Sequence, residues 1–229
     1  MSNEGCERRR LWGMAIGIAV ADGVARVAGA AEAPFEALRA GLDGLTAGFD
    51  VRVVVWALEG GGEPLRAEEG LWLEEFPIPL LAVLRGTTSG RAADLALWSD
   101  IRIADRSLSL RWGRFGSGRL LRVLGAKGSV VLLEGGGALD AEAALAVGAV
   151  SGVFDDVDLE GARLARAIAA RGPIALRLAK EALRHGPEMA LSQALRFETD
   201  LTLLLQTTKD RAEGVRAFME KRRPNFTGS

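Results

Sequence analysis

The sequence predicts an α/β fold, with strands and helices alternating through the first half and helices filling the second. Three observations carry this expectation. Short apolar runs bounded by Gly, Pro and acidic turns recur as far as Ala104. One of them, Val53-Val54-Val55-Trp56, is apolar without alternation, as suits a parallel strand covered on both faces. Beyond Arg119 the pattern is helical throughout.

In chain order, Ile16 to Val20 and Val24 to Val27 read as strands around the turn Ala21-Asp22-Gly23. Pro34 to Ala47 reads as a helix because Phe35, Leu38, Leu42 and Leu45 form one apolar stripe. Val51 to Leu58 is a strand, followed by the loop Glu59-Gly60-Gly61-Gly62-Glu63-Pro64. That triple glycine lacks the Lys-Ser/Thr of a phosphate-binding loop and reads as a flexible turn. A short helix is expected at Ala67 to Glu75, a buried strand at Pro79 to Val83, a helix at Gly90 to Ser99 and a strand at Ile101 to Ala104. Later helices are expected at 125–133, 141–147, 158–170, 173–185, 188–205 and 208–221. Asp140 and Thr208 suit N-caps, and Gly148 suits a helix stop. No internal repeat of fixed period is present.

Composition narrows the functional classes. The chain has 229 residues, 48% hydrophobic and 26% charged, with 29 basic against 30 acidic residues and a net charge of −1. Such a balance gives no electrostatic basis for binding nucleic acid or an anionic membrane. Cys6 is the single cysteine, so no disulfide forms within the chain and a reducing, cytoplasmic compartment is expected. His185 is the only histidine and there is no tyrosine. No metal site is expected, and Ser-His-Asp hydrolysis has little material. The apolar segment Leu11 to Val20 follows Arg8, Arg9 and Arg10, which resembles the start of a signal peptide. It is short for a membrane span and is interrupted by Gly13 and Gly17, so a first strand after a disordered basic start is the plainer reading.

Four stretches carry a resemblance. Pro79 to Gly86 is a strand ending at a glycine. Thr87-Thr88-Ser89-Gly90-Arg91-Ala92-Ala93-Asp94-Leu95 then opens a helix bearing an acid, and Asp100-Ile101-Arg102-Ile103-Ala104 follows without a gap. The others are Leu139 to Val150, Arg177 to Leu183, and Glu213 to Phe226. In this order, over roughly residues 50–226, the chain resembles the crotonase (enoyl-CoA hydratase/isomerase) superfamily. The resemblance implies a crotonase-like (ββα)n spiral core over residues 1–171 and a C-terminal helical trimerisation region over 172–229. It also implies an acyl-CoA thioester as substrate, no separate cofactor because CoA is part of that substrate, and a homotrimer or hexamer. The tail's Leu191, Leu195, Leu201 and Leu205 would serve that assembly.

In such proteins two backbone N–H groups hold the thioester oxygen as it becomes an enolate, one of them at a helix N-terminus. The resemblance places the first donor on Arg91, where the family usually has glycine, and the second on Glu69 or a residue beside it. Leu65, Ala67 and Gly90 fall at substrate-binding positions, and Phe218 and Lys221 at positions that approach the CoA adenine. The first hydratase carboxylate falls on Asp94 and the second on Arg114, so half of the water-activating pair is replaced by a permanent cation. Arg91 admits three readings: it fills the acyl pocket, pairs with a loop carboxylate, or binds an acidic acyl group. Asp94 is either a proton-transfer group or a helix acid paired with Arg91. An acyl-CoA enzyme with altered, isomerase-like chemistry therefore competes with a catalytically inactive binding or assembly protein.

Overall fold

The computed structural model describes residues 7–9, 16–112, 119–126, 128 and 138–229. Strands β1 (Glu7–Arg9), β2 (Gly17–Ala21) and β3 (Val24–Ala28) come first, then α1 (Phe35–Asp43), β4 (Val53–Gly60), α2 (Ala67–Glu75), β5 (Leu80–Thr88) and α3 (Gly90–Trp98). Next are β6 (Ile101–Ala104), β7 (Ser109–Leu110), a helix at 119–126 (α4), β8 (Leu139–Asp140) and α5 (Ala141–Ala146). Helices α6 (Val157–Ala169), α7 (Pro173–His185), α8 (Leu191–Gln206) and α9 (Lys209–Met219) complete the order.

One sheet organises the strands. β1, β2 and β3 are antiparallel neighbours, and β3, β4 and β5 run parallel. The β2–β3 hairpin turns on Asp22 and Gly23, both at positive φ (50° and 77°), as a tight two-residue turn requires. β5 has two partners along one edge: Leu81–Leu84 pair with β6, and Thr87–Thr88 pair with β7. Gly86, with φ 54°, lies between these two halves. The expected basic start differs from the structure in one respect, because Glu7–Arg9 pairs with Val20, Ala19 and Ile18 as an edge strand. The helix expected at 125–133 begins earlier, at 119; residues 125, 126 and 128 are helical as expected, and 127 and 129–133 lie outside the described residues.

Strand parity divides the core. Val54, Trp56 and Leu58 of β4 and Leu80, Ala82 and Leu84 of β5 face α1, α2 and α3 in the larger cluster. Val53, Leu81 and Val83 face the other way, against Val157 and Ala165 of α6. Both faces are therefore covered, as the apolar run 53–56 suggests. The caps follow their side chains: Asp140 accepts from Ala143 N–H at 2.8 Å and Thr208 from Arg211 N–H at 3.1 Å, while Gly148 takes φ 76° just beyond α5. The helical half is tied back by long-range bonds. Lys180 Nζ reaches Asp100 Oδ2 at 2.7 Å and Ile78 O at 2.9 Å. Arg52 donates to Ala169 O at 2.8 Å and Phe226 O at 2.7 Å. Among the described residues no helix is long and apolar enough to cross a membrane.

Candidate active site

The site is built where β5 passes into α3. Gly90 has φ 49°, and a Cβ there would lie 2.2 Å from the Gly62 carbonyl oxygen, so only glycine allows this approach. The approaching loop is the triple glycine after β4. Gly60 and Gly62 take φ 85° and 98°, and a Cβ on Gly62 would meet Ala31 O at 2.6 Å. The sequence reading of a slack turn is therefore corrected: these glycines let a loop backbone lie against a helix end. Their carbonyls accept from Ser89 N–H (Gly60 O, 2.8 Å), Ala92 N–H (Gly61 O, 3.2 Å) and Arg91 N–H (Gly62 O, 3.4 Å). The last is at the long limit of a hydrogen bond.

Arg91 is 9% exposed. Its Nε donates to Glu63 O at 3.0 Å and its Nη1 to Ala33 O. One guanidinium thus bridges the loop after β3 and the loop after β4, directly over the α3 N-terminus. Asp94, one turn further along α3, is 8% exposed and accepts Leu65 N–H on Oδ2 at 2.9 Å. Burial pushes its carboxyl pKa above the usual aspartate range, against the opposing pulls of the Leu65 N–H and the Arg91 charge.

At α2, Ala67 is the first helical residue and is exposed. Glu69 is buried and acts on its own helix end. Its carboxylate accepts Arg66 N–H at 2.8 Å and the Arg66 guanidinium at 2.9 Å, while its own N–H donates to Arg66 O at 3.1 Å. Such reciprocal contacts fasten a first helical turn. Trp112, which the sequence reading passed over, donates from Nε1 to Ala93 O at 3.0 Å and braces α3 against the core. Arg114 lies outside the described residues. Phe218 is 84% exposed on α9, and Lys221 follows that helix at φ 53°. Among the described residues no three His, Cys, Asp or Glu side chains cluster closely enough to hold a metal ion.

The structure thus gathers Leu65, Gly90, Arg91 and Asp94 around one helix end. Gly62, Glu63 and Ala33, which contribute through their carbonyls, were not singled out as site residues. The only signal for them was the glycine run itself. Residues 66–229 match the family model described as enoyl-CoA hydratase/isomerase. The chain belongs to the enoyl-CoA hydratase/isomerase family. It is similar to 2,3-dehydroadipyl-CoA hydratase of Escherichia coli (strain K12), 37% identical over 171 residues that cover 69% of this chain and 67% of that protein. It is also similar to mitochondrial methylglutaconyl-CoA hydratase of Homo sapiens, 34% identical over 171 residues covering 68% of this chain and 50% of that protein. The chain spans between half and two thirds of the length of these relatives. A crystal structure of enoyl-CoA hydratase from Bacillus anthracis superposes with a TM-score of 0.83 at 28% identity, covering 94% of this chain and 100% of that one. An enoyl-CoA hydratase structure from Geobacillus kaustophilus gives 0.84 at 22% identity, covering 98% and 100%, which speaks for the fold alone. The fold of this family member is the crotonase fold, an α/β core followed by a helical region.

Proposed function

We propose that this family member binds acyl-CoA thioesters at the N-terminal end of α3 and moves a single proton, as in an isomerase-type enolate reaction. The observation that carries the reading is Asp94. It is a desolvated carboxyl one turn from a helix N-terminus, with its pKa raised toward the range in which a carboxyl both takes and returns a proton. The thioester oxygen would displace the Gly62 carbonyl from its long contact with Arg91 N–H. A second donor would come from the first turn of α2. Helix geometry leaves the early N–H groups there without intrahelical acceptors, and Ala67 and Glu68 precede the engaged Glu69. Asp94 would break a C–H bond beside the thioester as the electron pair moves onto that oxygen, then return the proton to another carbon. Hydration by a carboxylate pair is disfavoured because Arg114 replaces the second acid. Homotrimers or pairs of trimers are part of this proposal, as is a cytoplasmic site of action.

A second reading has its own observation. The Arg91 guanidinium joins Ala33 O to Glu63 O across the place where a thioester would lie. If that bridge is permanent, the protein is a non-catalytic binding or assembly member of the family. One set of measurements separates the readings: double-bond migration in a 3-enoyl-CoA, water addition to crotonyl-CoA, and calorimetric binding of both. Migration without hydration, abolished in Asp94→Asn, supports the first reading. Rapid hydration overturns the single-carboxylate chemistry. Binding without turnover supports the second reading, and no binding removes both.

A further inference from the structure

A cavity lies at the end of α3 opposite to Gly90. It has a volume of about 560 Å³ and opens between the C-terminal end of α3, α4 and α7. That is within the range of small-molecule sites, roughly 300–1,000 Å³. Its wall is apolar along Leu73, Trp98, Val123, Leu176 and Leu183. Charges are concentrated on the rest of the wall, and they can be paired off. Arg119 meets Glu74 at 2.8 Å, Lys180 meets Asp100 at 2.7 Å, Arg122 meets Glu188 at 2.9 Å, and Arg184 meets Glu75 at 3.4 Å.

Arg102 is the exception. It is 9% exposed, lines the cavity, and has no carboxylate partner among the described residues. Its Nε donates to Ala149 O at 2.7 Å and its Nη1 to Ser99 O at 2.6 Å, which uses two of an arginine's five N–H groups. Burial and the nearby Arg119 cation lower its pKa to about 10, against the opposing pull of the Asp100 carboxylate, so it stays charged at neutral pH. Asp100 is bonded to Lys180 instead, and a buried charge with no carboxylate in direct contact is an energetically costly arrangement. The two main-chain bonds fix the guanidinium plane but supply no negative charge.

We propose that this cavity binds an organic monoanion, a carboxylate with an apolar body, whose head group pairs with Arg102 and whose body lies along Leu73, Leu176 and Leu183. One guanidinium with no bonded carboxylate matches one carboxylate better than a phosphate dianion, and the planar fork favours a planar acceptor. The apolar wall excludes a bare inorganic ion as the natural fit.

Octanoate is a suitable probe and octanol its uncharged counterpart, measured by calorimetry on the full chain. The wild-type protein should bind octanoate at least tenfold more tightly than octanol. Arg102→Gln, which keeps donors for the Ser99 and Ala149 carbonyls, should lose at least tenfold in octanoate affinity. Ala179→Phe narrows the cavity without touching Arg102 or the Gly90 end of α3, and should abolish binding. If Arg102→Gln does not fold, the Ala179→Phe variant and the octanol comparison decide. Absence of octanoate binding to the wild type overturns the proposal, as does binding that survives Ala179→Phe or is matched by octanol.

Discussion

Arg91 lies in the first turn of α3, and its weight in the structure comes mainly through its side chain. The guanidinium holds the Ala33 and Glu63 carbonyls together. Arg91→Ala should lower stability by roughly 2–4 kcal/mol, because hydrogen bonds to a charged group contribute about 1.5–3 kcal/mol each. Urea denaturation would register this as a lower midpoint at unchanged slope. The same variant should bind a CoA thioester more tightly if the bridge blocks the site. Asp94 gives a pH signature. A carboxyl whose pKa rises on folding holds its proton more tightly in the native state, so stability falls as pH climbs from the usual aspartate range through the raised value. Asp94→Asn should lack that fall while keeping an acceptor for Leu65 N–H. Identical pH slopes for the two proteins in denaturation would refute this origin. Asp94 and Arg91 were legible in the sequence because their motif has fixed spacing. Gly62 O and Ala33 O were not, since a carbonyl acceptor leaves no mark in residue type.

The elements around the site depend on close backbone approach. Gly90→Ala forces a Cβ onto Gly62 O at a positive φ, where the left-handed conformation alone costs about 1–2 kcal/mol. Thermal unfolding should shift down accordingly, and any thioester affinity should fall with it as the loop is pushed off α3. At the other end of the helix, Trp56 Nε1 donates to Ser99 Oγ at 2.9 Å in a fully buried contact. Ser99→Ala strands that donor, and a loss of about 1–3 kcal/mol in chemical denaturation is expected. Strands and helices with strong periodicity, such as β4, β5, α3 and α7, were readable from pattern alone. The two-residue strands β7 and β8 were not, because two residues carry no period and their pairing is set by where β5 places its second half. The capping contacts at Asp140 and Thr208 were readable because a cap is a local, residue-specific event.

The whole molecule leaves a large apolar area uncovered on its helical half. Leu191, Leu195, Leu203, Leu204, Phe218 and Met219 are each more than half exposed, while Leu201 is the single buried residue of α8. A concentration of exposed apolar side chains on these helices is what an interaction face would use. Light scattering should return a mass above that of one chain, and Leu203→Glu with Leu204→Glu should shift it toward the monomer; a monomeric wild type would remove the assembly part of the proposal. The helical stripe was legible in sequence, but whether it turns inward or outward depends on what else covers the core. β5 shares hydrogen bonds with β4 on one edge and with β6 and β7 on the other, so both edges must open before all of its amides are freed. In deuterium exchange, the amides of Leu81 to Leu84 should therefore be among the last to label, at a free energy close to that of global unfolding. The Arg91 amide, whose bond to Gly62 O is long at 3.4 Å, should label many times sooner than these strand amides. The strand that positions the site would then be the most durable part of the molecule, with the site at its yielding edge.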